Sequence, residues 1–364
     1  VWEEIKLMQD ETVSDHELQK VKNRYRFNQI TGSVKNSDRA ARINRYETFS
    51  GWEFFEEFEN RIMNVSKEDI QRVMSAYFQP TKVTIGYNKP KEGGVRTKSA
   101  NDEENENESD EYDFHIHETD KYYYRFPVEN ENILPFSAED FSDIIRPNPI
   151  APLIKVDSLS NGIKLYFIEN RLVPALFVGG IIETGMIEEE HETSKPGGAA
   201  LLSDLINRGP QNISYEELSE RMAFVPYQFS VKGGSRGFTF QGYALLENVD
   251  EMLSTGLDFI TQPALREDDI KYLKSRHAIG ARNRYRRTST QAFYYMYNKI
   301  FDDHIYTQTS STEESVKSIS KEDLVALHKK YFRPELTSIV IVGDKSPEEM
   351  KLLAEKYFGK WSSS

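Results

Sequence analysis

Apolar positions along this chain recur with two periods, and the switches between them outline its elements. Helical spacing predicts helices over residues 14–31, about 37–49, and 52–65. A further helix over 66–77 has Ser66 as its cap, an acidic first turn, and an apolar stripe of Ile70, Val73 and Tyr77. Pro80 stops it, and the alternating run 82–87 reads as a strand. Beyond residue 151, the runs 164–168 and 175–183 read as a strand pair, and 196–207 and 214–222 as helices. Runs 224–231 and 238–245 form a hairpin around Lys232-Gly-Gly-Ser-Arg-Gly237, and 247–261 and 266–287 are helical. More helix follows to Tyr331, then a strand over 338–342. Strand pairs set beside helix pairs imply an α+β fold, a mostly antiparallel sheet with helices packed on one face.

The helix–stop–strand unit occurs twice. Ser66-Lys-Glu-Asp-Ile-Gln-Arg-Val-Met-Ser-Ala-Tyr-Phe-Gln-Pro80 returns as Ser320-Lys-Glu-Asp-Leu-Val-Ala-Leu-His-Lys-Lys-Tyr-Phe-Arg-Pro334, with seven of the fifteen positions identical. In the second copy the stripe is Leu324, Leu327 and Tyr331. Shared cap, stripe and stop imply duplication of a domain type. The second copy has far more chain ahead of it than the first, and the opening Val1-Trp-Glu-Glu-Ile-Lys reads as the middle of a helix. The expectation is a piece of a longer protein: residues 1–90 as the C-terminal part of a truncated first-half domain, and 152–364 as a complete domain of a second half.

Composition sharpens this division. The chain has 364 residues and a net charge of −13, and residues 101–120 hold ten Asp and Glu with no Lys or Arg. That segment cannot bury enough apolar surface to offset its ordering, so 91–151 is expected to be an acidic connector. Acidity argues against nucleic acid as a partner. Zero cysteine excludes a disulfide scaffold, cysteine-ligated zinc and thiol catalysis, and is compatible with either cytoplasm or periplasm. The longest apolar run, around 175–182, is far short of the ~18 residues a membrane span needs.

Four segments then line up in order. Leu159-Ser-Asn-Gly-Ile-Lys-Leu165 is a strand after an Asn-Gly turn, and Gly179-Gly-Ile-Ile-Glu-Thr-Gly185 is a strand ending in glycine. Pro196-Gly-Gly-Ala-Ala-Leu-Leu-Ser-Asp-Leu-Ile-Asn-Arg-Gly209 is a helix with glycine at both ends, and Gly343-Asp-Lys-Ser-Pro-Glu-Glu-Met-Lys-Leu-Leu-Ala-Glu-Lys-Tyr-Phe-Gly-Lys-Trp361 closes the series. Their order and spacing resemble the pitrilysin/insulinase-type zinc metallopeptidases, the inverzincins. In the first part Glu17-Leu-Gln-Lys-Val-Lys-Asn-Arg24, Ser37-Asp-Arg-Ala-Ala-Arg-Ile43 and Gly51 fit the end of a second domain of that family. The resemblance covers roughly 1–90 and 155–364.

The resemblance implies repeated α+β domains forming two halves around a chamber. An active half carries H-x-x-E-H on a helix, where two histidines hold zinc and the glutamate activates water. On this chain the histidine positions fall on Ala200 and Asp204, and the base on Ser203. The third ligand belongs on the 266–287 helix, yet no Glu occurs from Asp268 to Thr312. The implied reading is a half that keeps the scaffold and has lost the chemistry, with no catalytic residue, metal ligand or cofactor of its own.

Other candidates are weaker. His115 and His117, between Asp113 and Glu118, could share one ion but lie in the acidic connector, where solvated surface histidines are the plainer reading. Asp302-Asp303-His304 reads as a helix end. Gly233-Gly234-Ser-Arg-Gly237 lacks the Gly-Lys-Ser/Thr ending of a phosphate loop and reads as a hairpin turn. Phe293, Tyr294, Tyr295 and Tyr297 sit at helical spacing and are expected in the core, with a peptide-binding wall as the alternative for some of them. Arg282, Arg284, Arg286 and Arg287, with Arg276 and His277, are the candidate substrate-binding cluster, set against a solvated helix end that suits the macrodipole.

The expected function is the non-catalytic region of a zinc-dependent peptidase. It would supply chamber wall, hinge and contacts to a peptide or unfolded protein substrate, an extended peptide pairing with a sheet edge. Zinc would be held upstream in the full-length parent, and the parent's other domains would be partners. The alternative from another class is a non-catalytic scaffold or partner subunit, like those of processing peptidases or respiratory core proteins, that binds peptides or proteins without hydrolysis.

Overall fold

A computed structural model describes residues 1–87, 150–184, 195–234, 237–302 and 311–362, with Ser33 and Ser50 left aside. Two compact units emerge: Val1–Ala76 with Ala151–Ser364, and Tyr77–Ile150. Residues 91–149 of the expected connector, with the His115/His117 pair, and His304 and the tip of the Gly233–Gly237 hairpin lie outside the described residues.

The sheet is where the buried face begins. It is built from β1 (Lys155–Ser158), β2 (Lys164–Glu169), β3 (Ala175–Glu183), β4 (Tyr227–Gly234), β5 (Gly237–Leu245) and β6 (Thr337–Gly343), in the order β1-β2-β6-β3-β5-β4. Every neighbouring pair is antiparallel except β2 and β6, which run parallel with Lys164 opposite Ser338. Side chains alternate with the pleat. Leu165, Phe167, Val178, Ile182, Phe229, Val231, Phe238, Phe240, Ile339 and Ile341 are all buried on one face. Burial of each such side chain contributes roughly 1.5–3 kcal/mol.

Helices cover that face. They are α6 (Gly198–Ile206), α8 (Val249–Thr261), α12 (Lys321–Tyr331) and α13 (Pro347–Phe358), whose Leu201, Phe259, Leu327 and Phe358 join the same apolar cluster. Around them lie α7 (Tyr215–Phe224), α9 (Glu267–Tyr285), α10 (Thr288–Phe301) and α11 (Glu313–Ser318). The architecture is thus the α+β arrangement expected, with a mostly antiparallel sheet. Asn161, at the turn before β2, donates its side-chain amide to the carbonyls of Phe358 and Trp361 at 2.8 and 2.9 Å, tying that turn to the end of α13.

The first part of the chain forms α1 (Trp2–Asp10), α2 (Asp15–Thr31), α3 (Asn36–Phe49), α4 (Phe54–Met63) and α5 (Lys67–Tyr77). Helix α2 lies against the sheet domain: Phe27 is buried with Ala175 and Leu245, and Asn23 donates to the Phe224 carbonyl at 2.9 Å. Lys20 adds an ion pair to Glu220 at 2.9 Å.

The two repeat copies differ in one respect. Their caps are alike, since Ser66 with Asp69 and Ser320 with Asp323 each exchange backbone and side-chain hydrogen bonds across the first turn. Their stripes are not. Leu324, Leu327 and Tyr331 of α12 are buried, whereas Val73 and Tyr77 of α5 are 38% and 67% exposed.

Three expectations need correction. The run 82–87 is not a strand: Val83, Ile85 and Tyr87 are exposed and find no ladder partner among the described residues, and an unpaired β-prone run has no strand to join. The runs 164–168 and 175–183 are not a pair, because β6 enters between β2 and β3 and satisfies one edge of each. The aromatics on α10 are not core: Phe293, Tyr295 and Tyr297 are 61%, 68% and 43% exposed, and α10 buries none of its residues.

Two measurements follow. Leu327→Ala should cost about 2–5 kcal/mol by urea unfolding, while Val73→Ala, its repeat counterpart, should cost below about 1 kcal/mol. His328 on α12 bonds the Ile260 carbonyl through Nε2 at 2.8 Å and stacks on Phe332, and burial pushes its pKa below the ordinary 6.5. The unfolded chain therefore binds the extra proton first, so stability present above about pH 6.5 falls as the pH drops below it. His328→Gln, which keeps a donor and removes the titration, should flatten the loss of stability measured between about pH 7 and 5.

Candidate functional site: the motif helix and its neighbours

Helix α6 carries Ala200, Ser203 and Asp204, the three positions that the sequence resemblance aligned with a zinc motif. It starts at Gly197, whose φ of +98° gives the chain a left-handed turn that a side chain would strain. Seven of its nine residues are buried, because it fits between β4 on one side and α9 and α12 on others. The close approach to the sheet depends on Gly233 in β4: a Cβ there would stand 2.1 Å from the Ala199 carbonyl oxygen.

The end of α6 is clamped to the same strand. Val231 donates its N–H to Asn207 Oδ1 at 2.8 Å, and its carbonyl accepts from Asn207 Nδ2 at 2.7 Å. Both groups of Val231 thus point away from β5, and the Asn207 amide meets them as a neighbouring peptide unit would. An edge strand ordinarily offers such groups to an incoming chain. Here Asn207 fills the edge at Val231, so an extended peptide could not pair at that position.

The three motif positions fall as follows. Ala200 and Asp204 share one face at i and i+4. Ala200 offers no donor atom. Ser203 is 2% exposed, and its hydroxyl donates to the Ala200 carbonyl at 2.9 Å. Asp204 is the polar member: its side chain is 51% exposed, and Oδ2 meets Nε2 of His277 on α9 at 2.7 Å. Where a metallopeptidase would join these two helices through a shared ion, this chain joins them through an acid–imidazole contact. The residues present do not fit zinc. One carboxylate, already hydrogen-bonded, and one imidazole fall short of the usual three protein ligands. Among the described residues, no group of three or more His, Asp or Glu could hold a metal ion.

His277 appeared in the sequence only as a member of the basic cluster; its partner is 73 residues away, and nothing local announces the contact. The arginines extend from the other end of α9. Arg282 lies 4.0 Å from Glu313 on α11, while Lys317 pairs with Glu313 at 2.7 Å. Lys317 first, with Arg282 and Arg286 adding to it, holds the Glu313 carboxyl below its ordinary range. Arg284, Arg286 and Arg287 are exposed. The structure does not bring this cluster to Ala200, Ser203 and Asp204, apart from His277. Among the described residues no helix is long and apolar enough to cross a membrane.

The described fold is a mixed α+β domain in which α6 and α9 meet through the Asp204–His277 contact. The family model for the peptidase M16 inactive domain matches residues 318–364. The peptidase M16 inactive domain from Pseudomonas fluorescens superposes with a TM-score of 0.53 at 17% identity, over 58% of this chain and 51% of that one. A protease from Helicobacter pylori gives 0.52 at 16% identity, over 58% and 51%. The periplasmic protease PqqL from Escherichia coli gives 0.52 at 10% identity, over 58% of this chain and 24% of that one. At these identities the likeness is one of fold. This chain spans about half the length of the first two structures and about a quarter of the third. No curated protein sequence matches it. Residues 318–364 are thus similar in sequence to the peptidase M16 inactive domain, and the fold is similar to that of these M16-type structures.

The clamp gives a direct test. Asn207→Ala would leave the N–H and carbonyl of Val231 without their partner, and should lower stability by about 1–3 kcal/mol in urea unfolding.

Proposed function

We propose that this chain is the non-catalytic region of a zinc-dependent peptidase, forming chamber wall, hinge and substrate contacts while zinc is held elsewhere in the parent protein. The observation that carries the reading is the Asp204–His277 contact, which occupies the meeting place of α6 and α9 within an M16-type fold. In the same reading, residues 1–90 are the later part of a first-half domain, 91–151 a connector, and 152–364 the inactive domain of the second half. The exposed stripe of α5 supports that division, because its repeat copy shows the same stripe covered by a sheet and its helices. Arg282, Arg284, Arg286 and Arg287 are the proposed substrate contacts, and a peptide or unfolded protein is the proposed substrate.

This division of labour needs Ala200, Ser203 and Asp204 to be spectators. In the full-length parent, hydrolysis of an unfolded protein should be abolished by a chelator and restored by zinc. Asp204→Ala should leave kcat unchanged and lower thermal stability modestly. A parent that hydrolyses nothing with zinc supplied would instead mark a scaffold or partner subunit, and loss of kcat on replacing Asp204 would place chemistry on α6.

A further inference from the structure

We propose that the elbow between α9 and α10 is a docking surface for acidic segments of a protein partner that also carry aromatic or aliphatic side chains. The inference deepens the substrate-contact reading by naming the chemistry that would be recognised; binding at the elbow itself requires no hydrolysis.

Charge is the first ground. The chain as a whole is acidic, with 59 Asp and Glu, yet residues 270–301 contain none. They hold eight cations: Lys271, Lys274, Arg276, Arg282, Arg284, Arg286, Arg287 and Lys299. Glu313, which lies 4.0 Å from Arg282, is already paired with Lys317. Arg284, Arg286 and Arg287 form no close ion pair among the described residues. A cationic surface on an anionic body steers acidic segments toward itself and turns basic ones away. Guanidinium groups suit this task, because their planar donor forks match a carboxylate bidentately and lose little hydration on doing so.

The second ground is the helix that follows. Phe293, Met296, Tyr297 and Ile300 recur at three and four residues and so share one face of α10. They are 61%, 43%, 43% and 62% exposed. Water-facing apolar stripes of this width on a helix of fourteen residues mark interaction surfaces rather than ordinary surface scatter. Only Arg286 and Arg287 separate the two helices, so the arginines lead directly in the chain into the helix that carries the stripe. An occupant must then satisfy both: carboxylates for the arginines, and apolar anchors for the stripe, where aromatic contacts concentrate binding energy.

The experiment uses the whole 364-residue chain and two fluorescein-labelled 12-residue peptides. Both alternate charge with Leu and Phe; one carries Glu and Asp, the other Lys. By fluorescence anisotropy the acidic peptide should bind and the basic one should not, and the affinity should fall as salt rises. Joint replacement Arg284→Glu, Arg286→Glu and Arg287→Glu should weaken binding about tenfold or more. Phe293→Ser with Ile300→Ser should weaken it while leaving the circular dichroism spectrum unchanged. The proposal is overturned if the two peptides bind equally, if charge reversal has no effect, or if anionic phospholipid vesicles bind the elbow and the peptide does not. It is also overturned if the stripe variants convert a dimer to a monomer without touching peptide binding, since a second copy then covers the stripe. Failure here leaves chelator-sensitive hydrolysis by the parent untouched, so the two readings are separable.

Discussion

Everything in the sheet domain depends on how closely α6 lies against the edge of the sheet. Its apolar residues fill the space between β4, α9 and α12, and the fit has no slack: at Gly233 the two backbones are too close for any side chain. Asn207 then fixes the helix end by completing Val231's hydrogen bonds. What the helix shows to solvent is decided separately, by the few positions that the packing leaves free.

That separation lets the polar positions of α6 vary while the packing keeps its shape. Ser203 is sealed inside, its hydroxyl bonded back to the helix. Ala200 offers no donor atom. Asp204 is the exception, a carboxylate on a helix that is otherwise almost wholly apolar, and His277 answers it from α9. An ion would cross-link these helices strongly; a half-exposed acid–imidazole contact contributes about 1 kcal/mol or less. The link that survives is weak, and the surrounding apolar contacts carry the stability.

Much of this fold is legible in the chain. The caps at Ser66, Ser320 and Ser346, the period of the helices and the β4–β5 hairpin are local signals, and the structure keeps them. Strand order is not local. The insertion of β6 between β2 and β3 joins segments far apart in sequence, so adjacent runs that look like a hairpin are not one. The run 82–87 has the composition of its copy β6 without the neighbours that make β6 a strand. The aromatics of α10 have core-like spacing and sit in water, because spacing reports a face and not what covers it. The site divides the same way: Ala200, Ser203 and Asp204 are readable by alignment to a motif, whereas His277 becomes visible only when α9 is laid across α6.

The central claim is that the α6–α9 junction is an acid–imidazole contact and not a metal centre. It is tested most directly by dialysing the purified chain against zinc, washing, and measuring bound metal by mass spectrometry. Well below one zinc per chain is expected, with the same value for Asp204→Ala and His277→Ala. One tightly held zinc per chain, lost in both variants, would contradict it.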